Sequence, residues 1–144
     1  MSTEQSQRLQ TVHALLDGYG SLSVPTLAAP LADDFKHQVL PESLGMPARD
    51  KAAFEQHAAG IFSVFEAFAM VPKAVFEDSE RNAVVVSARM QGTLKGGRGE
   101  WRNECVMLIT LSEDGTRVVA VEEFVDSAKA LEMRAKVAPK GFDE

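Results

Sequence analysis

Residues 100–111 read EWRNECVMLITL and residues 117–125 read RVVAVEEFV, with Glu113-Asp114-Gly115 between them. Side chains of an extended chain point to opposite faces in turn. The first run therefore sets Trp101, Asn103, Cys105 and Met107 on one face and Arg102, Glu104, Val106 and Leu108 on the other. The second run sets Val119, Val121, Glu123 and Val125 on one face and Glu122, Phe124 and Asp126 on the other. An Asp-Gly pair between two such runs signals a tight hairpin turn. Two antiparallel strands are predicted here, followed by a terminal helix over 127–136. Upstream, the valine-rich stretch 83–93 reads as another strand, closed by the glycine turn Lys95-Gly96-Gly97-Arg98-Gly99. A short strand over 73–77 precedes the turn Asp78-Ser79-Glu80-Arg81-Asn82.

Before residue 72 the apolar period changes from two to three and four. Leu9, Val12, Leu16 and Tyr19, with Leu15 beside them, form one helical face. Ser2-Thr3-Glu4 is placed to cap this helix, and Gly18 and Gly20 to end it. A short helix is predicted after Pro25, a bent extended segment over 32–40, and a loop between Pro41 and Pro47. A long helix after Arg49-Asp50 carries the stripe Phe54, Ala58, Ile61, Phe65 and Phe68, and Pro72 bars it from running further. Helices first and a strand meander last make an α+β fold. Long curved strands wrapped on a few helices enclose a cavity, the setting in which ligand pockets form.

The 144 residues show no repeat, linker or low-complexity tract, so one domain over 1–144 is expected. A net charge of -6 without any basic run argues against nucleic acid, which needs clustered Lys and Arg, and against an anionic membrane surface. One cysteine, Cys105, allows no disulfide within the chain and no zinc site built of several cysteines. With neither a signal core nor a membrane span, the expected location is cytoplasmic. Val106, Leu108 and Phe124 on the outer sheet face would need covering, which a homodimer would supply.

No nucleotide-binding or nucleophile-elbow motif is present, and His13, His37 and His57 are too scattered for a metal site. Three stretches could carry chemistry. In Lys36-His37-Gln38-Val39-Leu40-Pro41 a histidine offers a proton carrier near neutral pH, although most histidines are satisfied structural residues. The face of Trp101, Asn103 and Cys105 gives an aromatic wall, one amide and a soft apolar group. Cys105 reads as lining, because no basic neighbour is visible that would make it a thiolate. Glu123 stands on an otherwise apolar face, where burial favours the neutral, proton-donating form of a carboxyl group. Asp126 is either a catalytic carboxylate or the cap of the last helix. His57, one turn from Phe54 and Ile61, could project into the pocket with Phe65 on its wall.

The blocks His37-Gln38-Val39-Leu40-Pro41-Glu42-Ser43-Leu44-Gly45, Asn103-Glu104, Glu113-Asp114-Gly115 and Glu123-Phe124-Val125-Asp126-Ser127 resemble the fungal SnoaL-like proteins of secondary-metabolite clusters. The resemblance spans about Leu9 to Lys136. It implies the cone-shaped fold of nuclear transport factor 2 and scytalone dehydratase, and a cofactor-free, metal-free enzyme working by acid–base chemistry on a small hydrophobic cyclic substrate. Relatives isomerise meroterpenoid rings, direct cyclisation or rearrangement of polyketide- or terpenoid-derived intermediates, or open epoxides. By position, Glu123 matches the family's acidic residue, His37 its histidine before Gln-Val-Leu-Pro, and Asn103 its Asn-Glu pair. Together with the reading of the residues above, the expected catalytic set is Glu123, His37 and Asp126, with Trp101, Asn103, Cys105, His57 and Phe65 around the substrate. Many relatives carry tyrosines on the central strand where this chain has Trp101 and Cys105, and Met90-Gln91-Gly92-Thr93-Leu94-Lys95 also departs from the family's small polar run. Epoxide hydrolysis is the neighbouring alternative. A non-catalytic ligand- or protein-binding module is the alternative of another class, since fold does not fix function.

Overall fold

The computed structural model describes residues 5–136. The cap expected at Ser2-Thr3-Glu4 lies outside them. Within them, Ser6 opens α1 (Gln7–Ser21), its side chain accepting from the Leu9 N–H at 3.2 Å. Gly18 and Gly20 do not end this helix. It runs to Ser21 and closes on Leu22, whose φ of 53° is left-handed. The two glycines instead let α1 pack closely. A Cβ at Gly18 would stand 2.8 Å from the Leu27 Cα of α2 (Val24–Ala28), and one at Gly20 3.3 Å from the Phe68 carbonyl oxygen.

The extended segment is a strand, β1 (Leu31–Leu40), which buries Phe35, His37 and Val39 in alternation. After a short helical turn at 42–44 comes β2 (Arg49–Asp50). Asp50 caps α3 (Lys51–Val64), accepting from the Ala53 N–H at 2.9 Å. The apolar stripe predicted a helix through Phe68, but α3 stops at Val64 and β3 (Phe65–Asp78) begins at the next residue. Pro72 sits inside that strand rather than beyond a helix. β3 is an edge strand, and its register shifts between Pro72 and Ala74, so the missing N–H is tolerated there.

β4 (Ala83–Leu94), β5 (Glu100–Leu111) and β6 (Val118–Val125) complete a six-stranded sheet of order β2-β1-β6-β5-β4-β3, and α4 (Ser127–Lys136) follows. From β3 to β6 the sheet is the expected antiparallel meander. β1 adds to β6 in parallel, with His37 opposite Val121 and Val39 opposite Glu123. The fold is α+β, a sheet with helices packed on its inner face. The inward row of β5 is Asn103, Cys105, Met107, Ile109 and Leu111, as the alternation predicted. In β6 a register shift beside Leu111 turns Val118 rather than Val119 fully inward, and Val121, Glu123 and Val125 keep their predicted face.

The outer sheet face carries a continuous apolar strip. Phe76, Val85 and Leu108 are lateral neighbours across β3, β4 and β5, and Val106 and Phe124 pair beside them. Phe76 and Phe124 are 64% and 52% exposed. Among the described residues, no helix is long and apolar enough to cross a membrane.

Gly18→Ala is expected to destabilise the fold by about 1–2 kcal/mol. The overpacking cost against the Leu27 backbone exceeds the roughly 1 kcal/mol that alanine gains by helix propensity. Urea unfolding measures this, and a rise in midpoint would refute the close-packing role.

Candidate active site

Between α1, α3, α4 and the inner sheet face lies a cavity of about 100 Å³. Its wall is soft and aromatic. Phe54 and Phe62 come from α3, Phe65 and Phe68 from the start of β3, and Trp101 from β5. Met46, Met70, Met90 and Met133 fill between them. Such side chains adapt to and stack on flat apolar surfaces. The polar groups on the lining are Tyr19, His37, His57, Asn103 and Glu123.

The parallel pairing of β1 with β6 brings His37 to Glu123. The His37 Nε2 lies 3.5 Å from the Glu123 Oε1. Both side chains are buried, His37 at 2% exposure and Glu123 at 9%. The separation is longer than a tight hydrogen bond. Phe54 packs on the imidazole with ring centroids 4.6 Å apart, Phe35 lies at 6.5 Å, and the His57 ring lies 6.2 Å away. Among the described residues, the buried His37 Nδ1 has no hydrogen-bond partner. An unpaired buried N–H costs more than an unpaired lone pair on an imidazole nitrogen. In a neutral ring this favours the tautomer whose Nε2–H faces Glu123.

Asn103 reaches the lining with its amide largely engaged. It donates to the Asp126 carbonyl at 3.4 Å and accepts from the Glu104 N–H at 2.7 Å. Its second amide N–H makes no hydrogen bond among the described residues. Trp101 closes the wall below α4, its indole N–H donating to the Lys129 carbonyl at 3.4 Å.

Of the residues singled out in the sequence, the structure brings His37, His57, Phe65, Trp101, Asn103 and Glu123 to one cavity, and leaves two apart from it. Asp126 is exposed and does not line it. Its carboxylate accepts from the Ala128 and Lys129 N–H groups at 3.0 and 3.4 Å, the cap that was the other role open to it. Cys105 lies behind the wall, its Sγ 3.8 Å from the Met70 Sδ, and burial with the nearby Glu123 pushes the thiol well up, so it stays protonated. Among the described residues, no three His, Cys, Asp or Glu side chains gather as a metal-holding set.

Tyr19 was read from the sequence only as one more apolar position on α1. The structure puts its ring in the cavity, 6.5 Å from Phe68. Burial, and then the charge of Glu123, hold its phenol well above its ordinary value of 10.0. The helical spacing did mark Tyr19 as inward-facing, and as the chain's single tyrosine it was the one phenol that could reach a cavity.

The SnoaL-like domain profile matches residues 12–121, most of the chain. The chain belongs to the SnoaL-like family. Among its relatives, a monooxygenase, AgnL5, of Paecilomyces divaricatus is 39% identical over 67% of this chain and 59% of its own length. The monooxygenase nsrS of Aspergillus novofumigatus is 33% identical over 82% of this chain and 79% of its own. Among solved structures, the BvnE pinacolase of Penicillium brevicompactum superposes with a TM-score of 0.85 at 18% identity, over 92% of this chain and 94% of that one. That likeness establishes the fold of this SnoaL-like chain, and its site is argued from its own residues.

Tyr19 alone can give a tyrosinate signal, so an ultraviolet pH titration reads it directly. Ionisation is expected well above pH 10.0. Glu123→Gln is expected to lower the midpoint by removing a repelling carboxylate, and to leave it raised because burial is the larger cause. The folded phenol then holds a proton that the unfolded one loses, so stability falls as pH rises past 10.0. Tyr19→Phe should flatten that fall. A wild-type midpoint at 10.0 would remove the phenol from the buried site.

Proposed function

We propose that this cavity is the active site of an acid–base enzyme of fungal secondary metabolism, which isomerises, cyclises or rearranges a small, ring-bearing, polyketide- or terpenoid-derived intermediate. The observation that carries the reading is the buried His37–Glu123 pair, 3.5 Å apart, inside an aromatic wall. Proton carriers are what such reactions need, and an apolar enclosure strengthens every polar contact made within it. In this scheme one member of the pair takes a proton from the substrate and the other passes it on or returns it at a second position. The chemistry is complete with protons alone and uses no cofactor. The free N–H of Asn103 orients a carbonyl or hydroxyl, and Trp101 and Phe65 pack against the rings.

A second reading follows from the name monooxygenase that both relatives carry. The same base would then form a substrate anion that meets dioxygen. Hydrolysis of an epoxide is a third outcome and needs one positioned water. Isotope labelling separates the three. Product oxygen from labelled dioxygen marks oxygenation, oxygen from labelled water marks hydrolysis, and no new oxygen marks isomerisation or cyclisation.

Glu123→Gln and His37→Asn are each expected to lower turnover by about 10²–10⁴-fold. Asp126→Asn should leave turnover nearly unchanged, since Asn caps a helix about as well as Asp. Steady-state kinetics on extracted cluster intermediates test this. Full activity in Glu123→Gln would end the acid–base assignment.

The partner we propose is a second copy of this chain, docked on the outer strip around Val106, Leu108 and Phe124. A single-layer sheet with one bare apolar face exposes a patch of the kind that marks an interface, and a twofold axis lets one such patch cover its own copy. Phe124→Glu is expected to convert a dimer to a monomer in light scattering. A wild-type monomer would overturn the proposal.

A further inference from the structure

At the aromatic end of the cavity the inner sheet face has a gap in its side chains. Phe68, Gly92 and Trp101 are lateral partners across β3, β4 and β5. Partners in register share a face, so Phe68 and Trp101 spring from strands roughly 10 Å apart with no side chain on the strand between them. The backbone at Gly92 is not left-handed, so its conformation does not call for glycine. Glycine weakens a strand interior and marks a place where something approaches closely. Here that something is Phe65. Its ring lies on the Gly92 backbone, where a Cβ would collide with the ring edge. It meets Phe68 edge-on with centroids 5.1 Å apart, and Trp101 at a tilt with centroids 6.1 Å apart. The gap therefore holds one flat six-membered ring, and the chain fills it from its own β3. Phe65 is buried there, and the chamber left beside it is about 100 Å³. Ligand sites commonly run to about 300–1,000 Å³. The methionines of the wall can yield to a ligand, whereas Phe65 has main chain behind it and an aromatic ring on either side.

We propose that Phe65 sets the size of ring system this site accepts, by occupying a ring subsite formed by Phe68, Gly92 and Trp101. A compact fused-ring substrate fits the remaining chamber, and one that carries a further ring at this end is excluded. The inference rests on the ring-pocket reading above and narrows its substrate class. The exclusion is steric. Phe65 has no group that moves a proton, so it acts on which substrate enters and leaves the acid–base step to other residues.

The test needs no natural substrate. The probes are 1-naphthol and 9-phenanthrol, flat molecules with one hydroxyl and with two and three fused rings. Calorimetry with the protein as titrant reads their binding. The wild type is expected to prefer 1-naphthol by about tenfold or more, because the third ring overpacks a filled site. Phe65→Ala should raise the affinity for 9-phenanthrol by about tenfold and abolish the preference, since the extra ring then meets Phe68 and Trp101. Gly92→Ala works from the other side of the contact. It pushes the Phe65 ring into the chamber and should weaken 1-naphthol about three- to tenfold, and adding Phe65→Ala should restore that loss. Urea unfolding shows that each variant is folded. Phe65→Leu keeps more of the buried bulk and should move the preference in the same direction, so it serves where Phe65→Ala does not fold. If a folded Phe65→Ala or Phe65→Leu keeps the wild-type preference, the Phe65 proposal falls and the acid–base reading stands. If neither probe binds the wild type or the Phe65 variants, the ring-pocket reading falls and this inference with it.

Discussion

The parallel seam between β1 and β6 is the contact on which the site depends. It joins a strand from the first third of the chain to the last strand, and sets Val39 opposite Glu123 and His37 opposite Val121. His37 and Glu123 are thus diagonal neighbours on one face. Strand side chains alternate with a period of two, so a slip of one residue along this seam would turn either partner to solvent. The apolar residues on the same faces, Phe35 and Val39 in β1 and Val121 and Val125 in β6, oppose such a slip because they too would leave the core. The core thereby enforces the register that brings His37 to Glu123.

That enforcement explains which parts of the site could be read from the sequence. The inward row of β5, the place of Glu123 on an apolar face and the cap at Asp126 are local patterns, and each is visible within a few residues. The seam is not local. Nothing in 31–40 says which strand will receive it, so the approach of His37 to Glu123 was legible only through family likeness and not through spacing. Phe54 to Phe68 shows the limit of periodicity. Phe65 and Phe68 continue the helical count but also face the cavity from a strand, and the pattern holds no signal that the backbone changes state between Val64 and Phe65. Pro72 then misleads, because a proline that would break a helix is also acceptable on a sheet edge. The glycines of α1 misled in the same way. Inside a helix a glycine can mark an end or a close neighbour, and only the position of Leu27 decides.

The cavity concentrates its polarity. Its walls are phenylalanine, tryptophan and methionine, and Tyr19, His37 and Glu123 stand among them. Water screens charge poorly in such a space, so each proton-bearing group feels the others over longer distances than it would at a surface. The phenol of Tyr19 registers this through Glu123, and the thiol of Cys105 registers it too although it lies behind the wall. A change at Glu123 will therefore alter the protonation behaviour of Tyr19 and Cys105, and substitutions at these three positions are not independent of one another.

One contact in the wall sets how the pocket can diversify. A side chain at Gly92 would collide with the ring of Phe65, its Cβ falling against the ring edge. Phe65 can occupy that part of the cavity only because position 92 is empty. The two positions form a reciprocal pair, in which bulk at one excludes bulk at the other. A lineage could move the filled volume from the helix–strand junction to the sheet floor by changing both, reshaping the chamber while leaving the His37–Glu123 pair where it is. The shape of the chamber and the His37–Glu123 pair would then vary on separate residues.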